Sequence, residues 1–353
     1  MLRLARRDPS LVETTLPAPG GPAPSWQELR AEATGLLRDL GTPRDDRERW
    51  LQAQTEAVAA TCRVRAGERV PWAEQVERQL RVRPAVGDVD RYAAAHDVLE
   101  DLLPGPGPLL DRYLAHRALT VVPAVRVLDA LAAVVALLRA RTPDLPAGEG
   151  VRLTASRGPW SGLSRATGPL HSEVVVDPSR PLPAASLLAL AAHETYPGHH
   201  LERLRLAGRP ERAVVVLGTP EAVVTEGLGE TALRASGLTL PECTDALPLP
   251  AGADLALADA VARAARPLLR TKTDAAVLLH TRGPAVATGH LVRWGLHDAA
   301  RARAQLGFLS TPRFAVHAVA YGAGAALVDG WLDRGGRYDD LLGRPVLPED
   351  LTR

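Results

Sequence analysis

The segment LALAAHETYPGHHLERL contains the residue types of a zinc site at an unusual spacing. His193 and Glu194 begin the pattern H-E-x-x-H, in which two histidines four residues apart share one helix face and the glutamate acts as general base. Pro197 occupies the position of the second histidine, and His199 and His200 follow it. An unbroken helix turns about 100° per residue, so it would place neither late histidine beside His193.

The proline and the glycine that follows it predict that this helix is interrupted. Pro197 has no N–H to bond the carbonyl of His193, and Gly198 permits backbone angles that are closed to other residues. We predict a kink or loop at 195–198 and a new helical turn that begins near His199. A distortion of about two residues would return His199 to the place of the usual second histidine. The spacing alone leaves open which late histidine binds a metal.

A third metal ligand is expected downstream, in the segment VVTEGLGETALRASGL. Glu226 lies 27 residues after His199 in a predicted second helix, and this distance suits a helical hairpin. Glu226 follows an apolar run, and a buried carboxylate is costly unless it is paired or binds a metal. Glu230 lies one turn further on and could orient a ligand. Zinc (Zn2+) in hydrolytic sites is held by such ligands and keeps one position for water.

The composition favours helices packed on helices. The chain has 353 residues, of which 46% are apolar and only 4% aromatic. The net charge of +1 gives no indication of a nucleic-acid surface, and no uncharged apolar run reaches the length of a membrane span. Cys62 and Cys243 do not form a disulfide framework, and the N-terminus does not resemble a signal peptide. We therefore expect a cytoplasmic protein that binds neither nucleic acid nor membrane. The sequence gives no indication of its oligomeric state.

The chain divides into three predicted regions. Residues 1–24 are rich in Pro and Gly and are expected to form an irregular lead-in, followed by a helical region over 25–141. Residues 142–353 are expected to form the catalytic region. Their first part contains two β-like runs, VRLTAS and SEVVVD. The second run is either an inner strand or the edge strand that binds substrate, and we slightly favour the edge strand, at Val174–Val176. The predicted fold class is mainly α, a multi-helix domain with a small β-sheet next to the zinc-site helix.

Four segments resemble those of a known family, in the same order. HETYPGHH with TEGLGE resembles the bacterial family known as domain of unknown function 885, whose members carry H-E-x-x-P-G-H and later E-G-W-A. RWGLHDAARARAQLGFL is similar to its D-T-G-L-H segment, and RFAVHAVAYGAGAAL to its P-G-Q-A-x-x-Y-x-x-G segment. The resemblance covers roughly residues 150–335. That family is similar to helical glutamate-type zinc peptidases, the group of thimet oligopeptidase and the Taq-type carboxypeptidases.

The resemblance implies a mostly helical fold with a cleft and an edge strand that holds extended substrate. It implies zinc on His193, His199 and Glu226, with Glu194 as general base. Among the late histidines it favours His199, because the family tolerates other residues at the next position. His200 is then expected to be a capping or surface residue.

Two further residues match the family by motif order. In the related peptidases a tyrosine and a histidine from later helices stabilise the oxyanion, and Tyr321 and His297 correspond to them. The chain departs from the family at Leu228 in place of Trp, and at Glu202 and His317, which each replace a Gln. These departures affect substrate contacts and the surroundings of the metal ligands rather than the ligands themselves.

The residues and the resemblance together predict a zinc-dependent hydrolase, a peptidase or carboxypeptidase-like enzyme that cleaves a peptide or small amide by metal-activated water. The alternatives are a hydrolase of non-peptide amides or esters, a non-catalytic metal-binding protein of the same fold, and a structural helical protein whose histidines never meet.

Overall fold

The protein is mainly helical, as the sequence predicts. A computed structural model describes residues 1–14, 16–158, 162–209, 211 and 214–352. Its α-helices are α1 (Leu2–Arg7), α2 (Trp26–Leu40), α3 (Asp46–Arg65), α4 (Trp72–Leu80), α5 (Val89–Leu102), α6 (Leu109–Leu119), α7 (Val127–Ala140), α8 (Ala184–Glu194), α9 (His199–Arg205), α10 (Pro220–Ser236), α11 (Leu255–Ala265), α12 (Thr271–Arg282), α13 (Pro284–Trp294), α14 (Ala299–Leu309), α15 (Ala318–Asp333) and α16 (Asp339–Leu342).

The strands form small sheets. They are β1 (Val12–Thr14), β2 (Val121–Val122), β3 (Gly150–Ala155), β4 (Gly162–Gly168), β5 (His171–Val176), β6 (Leu182–Pro183) and β7 (Val214–Val216). β1 pairs with β7 and β2 with β6, while β3, β5 and β4 form a three-stranded sheet directly before α8 in the chain. The small sheet predicted beside the His-Glu helix is therefore present.

The N-terminal lead-in is more regular than its Pro and Gly content predicts. Residues 1–24 include α1 and β1, and β1 pairs antiparallel with β7, about 200 residues further along the chain. Leu4 and Leu11 are buried, and Leu4 joins a core cluster with Leu29 and Val58. The expectation of an irregular segment was wrong because these leucines have an apolar surface to pack against.

The edge strand was assigned to the wrong segment. β5, which contains Val174–Val176, is the central strand, since β3 pairs parallel to one side of it and β4 antiparallel to the other. A strand that is covered on both faces reads as a continuous apolar run, and all three valines are buried. β4 is an edge of this sheet.

Helix α8 lies in the interior between the sheet region, α7 and α10. Its apolar side, including Leu187, Leu188 and Ala191, belongs to the largest buried cluster. α10 and α15 cross closely through two glycines, because a Cβ on Gly227 would lie 2.5 Å from the carbonyl carbon of Gly324. This crossing brings the middle of α10 against α15.

Among the described residues, none of the helices is both long enough and apolar enough to span a membrane.

Candidate metal centre

The helix that carries His193 is broken where Pro197 and Gly198 stand. α8 ends at Glu194 and α9 begins at His199, so the loop predicted at 195–198 is confirmed. The Gly198 N–H donates to the carbonyl of Ala192 at 3.0 Å, which folds the loop back on the end of α8. As a result, the rings of His193 and His199 meet edge to face, with centroids 4.5 Å apart.

No side chain fits at Gly198. Its φ is −76°, so the backbone there is not left-handed. A Cβ at this position would lie 2.0 Å from the carbonyl oxygen of His193 and 2.4 Å from that of Ala192. Glycine is needed because the loop passes directly against the last turn of α8, rather than for a left-handed conformation.

The three predicted ligands converge. One ligand atom each of His193, Glu194 and His199 lie within 4.8 Å of one another. Glu226, from the middle of α10, places Oε2 at 3.4 Å from His193 Nε2 and 3.9 Å from His199 Nε2. The helix break and the packing of α10 against α8 and α9 therefore bring the four side chains together.

The polar atoms of this cluster fit a metal ion. Glu226 Oε2 and His199 Nδ1 are buried and have no hydrogen-bond partner within the described structure. A buried polar atom without a partner costs about 1–3 kcal/mol, and more for a charged group. Two imidazoles and a carboxylate are a common catalytic donor set for zinc. The residues present therefore suit a zinc ion on His193, His199 and Glu226.

The protonation of the cluster is strongly coupled. Burial opposes a charge on His193, but Glu226, Glu194 and Glu230 outweigh it and raise its pKa to about 10. Burial and the positive charge of His193 lower the pKa of His199 to about 3. Burial raises the pKa of Glu194 above its usual range. Without a metal, the charge of one imidazolium offsets part of the charge of these carboxylates, and a metal ion would displace that proton.

The neighbours of the ligands hold them in place. His317 lies with Nε2 at 3.2 Å from Glu226 Oε1, and Glu230 Oε1 is 3.8 Å from His193 Nδ1. A Cβ on Gly229 would lie 2.6–2.8 Å from three atoms of the His193 ring, so α10 presses directly on that ring. The sequence analysis noted His317 only as a replacement for the family's Gln, and it gave no role to Gly229.

His200 is not a capping or surface residue. It is only 1% exposed, and its Nε2 donates to Glu149 Oε2 at 2.9 Å while its Nδ1 accepts from the Ser172 hydroxyl at 2.8 Å. Tyr196 OH also donates to Glu149 Oε2, and Arg139 Nε donates to Glu149 Oε1 at 2.7 Å. The residue after His199 faces the β-sheet, so of the two late histidines the structure brings His199 to His193.

The cluster lies in the wall of a cavity of about 1790 Å³. Residues 162–166 of β4 also line this cavity. The side chains of Glu13 and Arg203 bind two backbone groups along this part of β4. Ala166 N donates to Glu13 Oε1 at 2.9 Å, and Arg203 Nη2 donates to the Ser164 carbonyl at 3.1 Å. Side chains of the protein itself therefore occupy two backbone groups of β4 next to the cavity.

The two residues expected at the oxyanion differ in their relation to the cavity. Tyr321 lines the cavity and contacts His317 edge to face, with ring centroids 5.5 Å apart. His297 is buried but is not among the described residues that line the cavity. Burial, then the charges of Arg301 and Lys272, lower the pKa of His297 to about 3. Both of these cations line the cavity, so His297 lies behind its wall.

Comparison with known proteins shows a fold but no family. No family model matches the chain, and no curated protein matches it. Among solved structures, a Colwellia psychrerythraea protein provisionally described as a lipoprotein aligns with a TM-score of 0.57 and 14% identity over 86% of this chain. The chain spans 55% of that protein's length. The likeness shows a shared fold.

Proposed function

We propose that the protein is a zinc-dependent hydrolase of peptide or related amide bonds. The observation that supports this most strongly is the approach of His193 and His199 to Glu226 Oε2, which has no hydrogen-bond partner among the described residues, with Glu194 beside them in the cavity wall. This donor set agrees with the resemblance to the glutamate-type zinc peptidases. His193, His199 and Glu226 would hold the ion. Zinc in such a site lowers the pKa of water to about 7 and polarises the carbonyl of the substrate.

Glu194 is the general base in this proposal. It belongs to the same cluster as the two imidazoles, and in this proposal Glu226 rather than Glu194 is the third ligand. Burial raises its pKa, which brings the carboxyl closer to the range in which it both accepts and releases a proton. Glu194 takes the proton of the attacking water and delivers it to the leaving nitrogen.

Tyr321 is the proposed donor to the developing oxyanion. Its phenol lines the cavity, and burial followed by the charges of Glu226 and Glu194 raises its pKa well above the usual value. The hydroxyl therefore keeps its proton at neutral pH and remains a hydrogen-bond donor. His317 contacts the other carboxylate oxygen of Glu226, Oε1, and residues 162–166 of β4 line the cavity beside the proposed site.

The experiment that tests this proposal replaces Glu194 by Gln. Zinc-loaded protein is incubated with a mixed peptide library and, in a second arm, with acylated small molecules, and the products are identified by mass spectrometry. Glu194→Gln should retain zinc and lose about 100- to 10,000-fold in hydrolysis rate, the usual contribution of a general base.

Glu202→Gln is the matched control. Glu202 is another buried glutamate of the cavity wall, and it accepts a hydrogen bond from Thr225 Oγ1 at 2.9 Å. This variant introduces the Gln of the related family and should hydrolyse at the parental rate. Cleavage of small acyl compounds but not of peptides would assign the site to non-peptide substrates. Unchanged activity of Glu194→Gln would refute the mechanism.

A further inference from the structure

The only lysine of the chain, Lys272, lies in the first turn of α12 and lines the same cavity. Its neighbour Thr273 accepts a hydrogen bond at Oγ1 from the Gly322 N–H at 3.1 Å. Gly322 follows Tyr321, so this contact joins the turn that carries Lys272 to the turn that carries the proposed oxyanion donor. Lys272 therefore belongs to the wall near the metal centre rather than to a distant part of the cavity.

A second cation shares this part of the wall. Arg301, in the first turn of α14, also lines the cavity. Neither the Lys272 ammonium nor the Arg301 guanidinium makes a hydrogen bond or ion pair within the described part of the chain. Other partly buried arginines of the cavity are paired, for example Arg203 with Glu13 and Arg266 with Asp329. Lys272 and Arg301 are thus set apart by the absence of an acidic partner.

The charges around the two cations leave an excess of positive charge. Burial, then Arg301 and Arg117, lower the pKa of Lys272, and only Glu230 raises it. Burial and Arg117 also lower the pKa of Arg301, and Asp298 accepts a hydrogen bond from the Arg301 backbone N–H at 2.7 Å. Lys272, Arg301 and Arg117 therefore carry three positive charges, against the two negative charges of Glu230 and Asp298. Partly buried cations that repel each other are unfavourable unless an anion binds between them.

Glu230 relates this cation pair to the metal centre. Its Oε1 lies 3.8 Å from His193 Nδ1, and its charge also acts on Lys272. A substrate whose scissile amide lies at His193 and His199 would therefore extend towards Lys272. Guanidinium and ammonium groups are the usual partners of carboxylates, and Arg binds them in a bidentate manner.

We infer that Lys272 and Arg301 form a carboxylate-binding subsite beside the metal centre, so that the substrate is an amide that bears a carboxylate near the bond to be cleaved. The inference rests on the proposed function for the identity of the site, and it names the substrate class. The carboxylate belongs either to the C-terminus of a peptide or to an acidic side chain.

Binding to zinc-loaded Glu194→Gln protein tests the subsite without turnover. The calorimetric Kd is measured for three probes: N-acetyl-Ala-Ala-Ala with a free carboxylate, the same peptide as its C-terminal carboxamide, and N-acetyl-Ala-Glu-Ala carboxamide. One of the two acidic probes should bind roughly 10- to 100-fold more tightly than the neutral probe, the usual strength of a charge-assisted hydrogen bond. The acidic probe that binds identifies the source of the carboxylate.

Lys272→Met and Arg301→Gln, each in the Glu194→Gln background, should abolish most of this preference while zinc content and thermal stability are retained. Arg91→Ala is the matched control, because Arg91 is an exposed cation of the same cavity and should leave the preference intact. Equal affinity for all three probes, failure of every probe to bind, or a preference that survives both subsite substitutions would overturn the inference.

Hydrolysis by protein with Glu194 intact separates this inference from the proposed function. A binding preference without hydrolysis would uphold the subsite and refute the hydrolase. Hydrolysis that ignores the carboxylate would uphold the hydrolase and refute the subsite.

Discussion

Two histidines six residues apart can reach one metal ion only when the helix between them is interrupted. Pro197 removes an N–H that α8 would need to continue, and Gly198 lets the loop pass where a Cβ would lie 2.0 Å from the His193 carbonyl oxygen. The pair His193 and His199 then has its rings in contact. The residues that seem to damage the H-E-x-x-H pattern are therefore the ones that position its second histidine.

The adjacent histidines allow a paired test at the residue scale. His199→Gln should lower zinc affinity by more than about 100-fold, since even the loss of a residue that only orients a ligand costs 10- to 100-fold. His200→Gln should keep zinc and instead lower the free energy of unfolding by about 2 kcal/mol, because His200 binds Glu149 and Ser172. Zinc titration and chemical denaturation measure the two effects. Loss of zinc in His200→Gln alone would show that the wrong histidine has been assigned.

At the scale of the element, α10 carries Glu226 and also shapes the surroundings of the His193 ring. Glu226 faces the histidines, Gly227 admits α15, Gly229 admits the His193 ring, and Glu230 approaches its far nitrogen. Four residues within five positions thus position one imidazole and one carboxylate. The segment EGLGE combines glycines and carboxylates because the helix must pack closely on two sides while it presents charge on a third.

Gly229→Ala tests this close approach. Its new Cβ would lie 2.6–2.8 Å from the His193 ring and should displace it, so zinc affinity should fall by about 10- to 100-fold. Gly289→Ala, in the interior of α13, meets no atom within 4 Å and should stabilise the protein by up to about 1 kcal/mol without an effect on zinc. If Gly229→Ala bound zinc as well as the parent, α10 would not position the ring.

At the scale of the whole molecule, the sequence predicted what local chemistry determines. The loop at 195–198 follows from one proline and one glycine, and the mainly helical class follows from composition and periodicity. Contacts between distant segments could not be predicted. The pairing of β1 with β7, the central place of β5 and the burial of His200 against Glu149 all depend on which surfaces meet after folding.

The roles that the family resemblance implies for Tyr321 and His297 stay predictions. Tyr321 lies on α15, which α10 holds close through Gly227 and Gly324, and it lines the cavity. His297 lies between α13 and α14, close enough to Arg301 and Lys272 for their charges to lower its pKa. The division into three regions, the cytoplasmic location and the absence of nucleic-acid and membrane partners stay predictions.

Glu149 connects the sheet, α7 and the loop behind the metal centre, and its ionisation should therefore govern acid stability. Burial opposes its charge, but hydrogen bonds from Tyr196, His200 and Arg139 lower its pKa below 4.5. A carboxylate with a lowered pKa stabilises the folded state above about pH 4.5, and this stabilisation is lost as the pH falls through the lowered value. Glu149→Gln should thus cost about 2 kcal/mol at pH 7 and progressively less in acid.

Denaturation of the parent and of Glu149→Gln between about pH 2 and about pH 7 measures this difference, since the range covers the expected transition below pH 4.5. Glu32→Gln provides the control, because Glu32 forms an exposed ion pair with Arg3 at 3.0 Å and should contribute less than about 1 kcal/mol. A difference between the parent and Glu149→Gln that does not shrink in acid would show that the network does not depend on the Glu149 charge.

The central claim is that His193, His199 and Glu226 hold one zinc ion. Crystals of the zinc-saturated and dialysed protein, measured on both sides of the zinc absorption edge, test it most directly. We expect about one zinc per chain and an anomalous peak roughly 2.0–2.2 Å from an imidazole nitrogen of each histidine and from a Glu226 oxygen. Protein that retains no zinc, or a peak away from these three side chains, would contradict it.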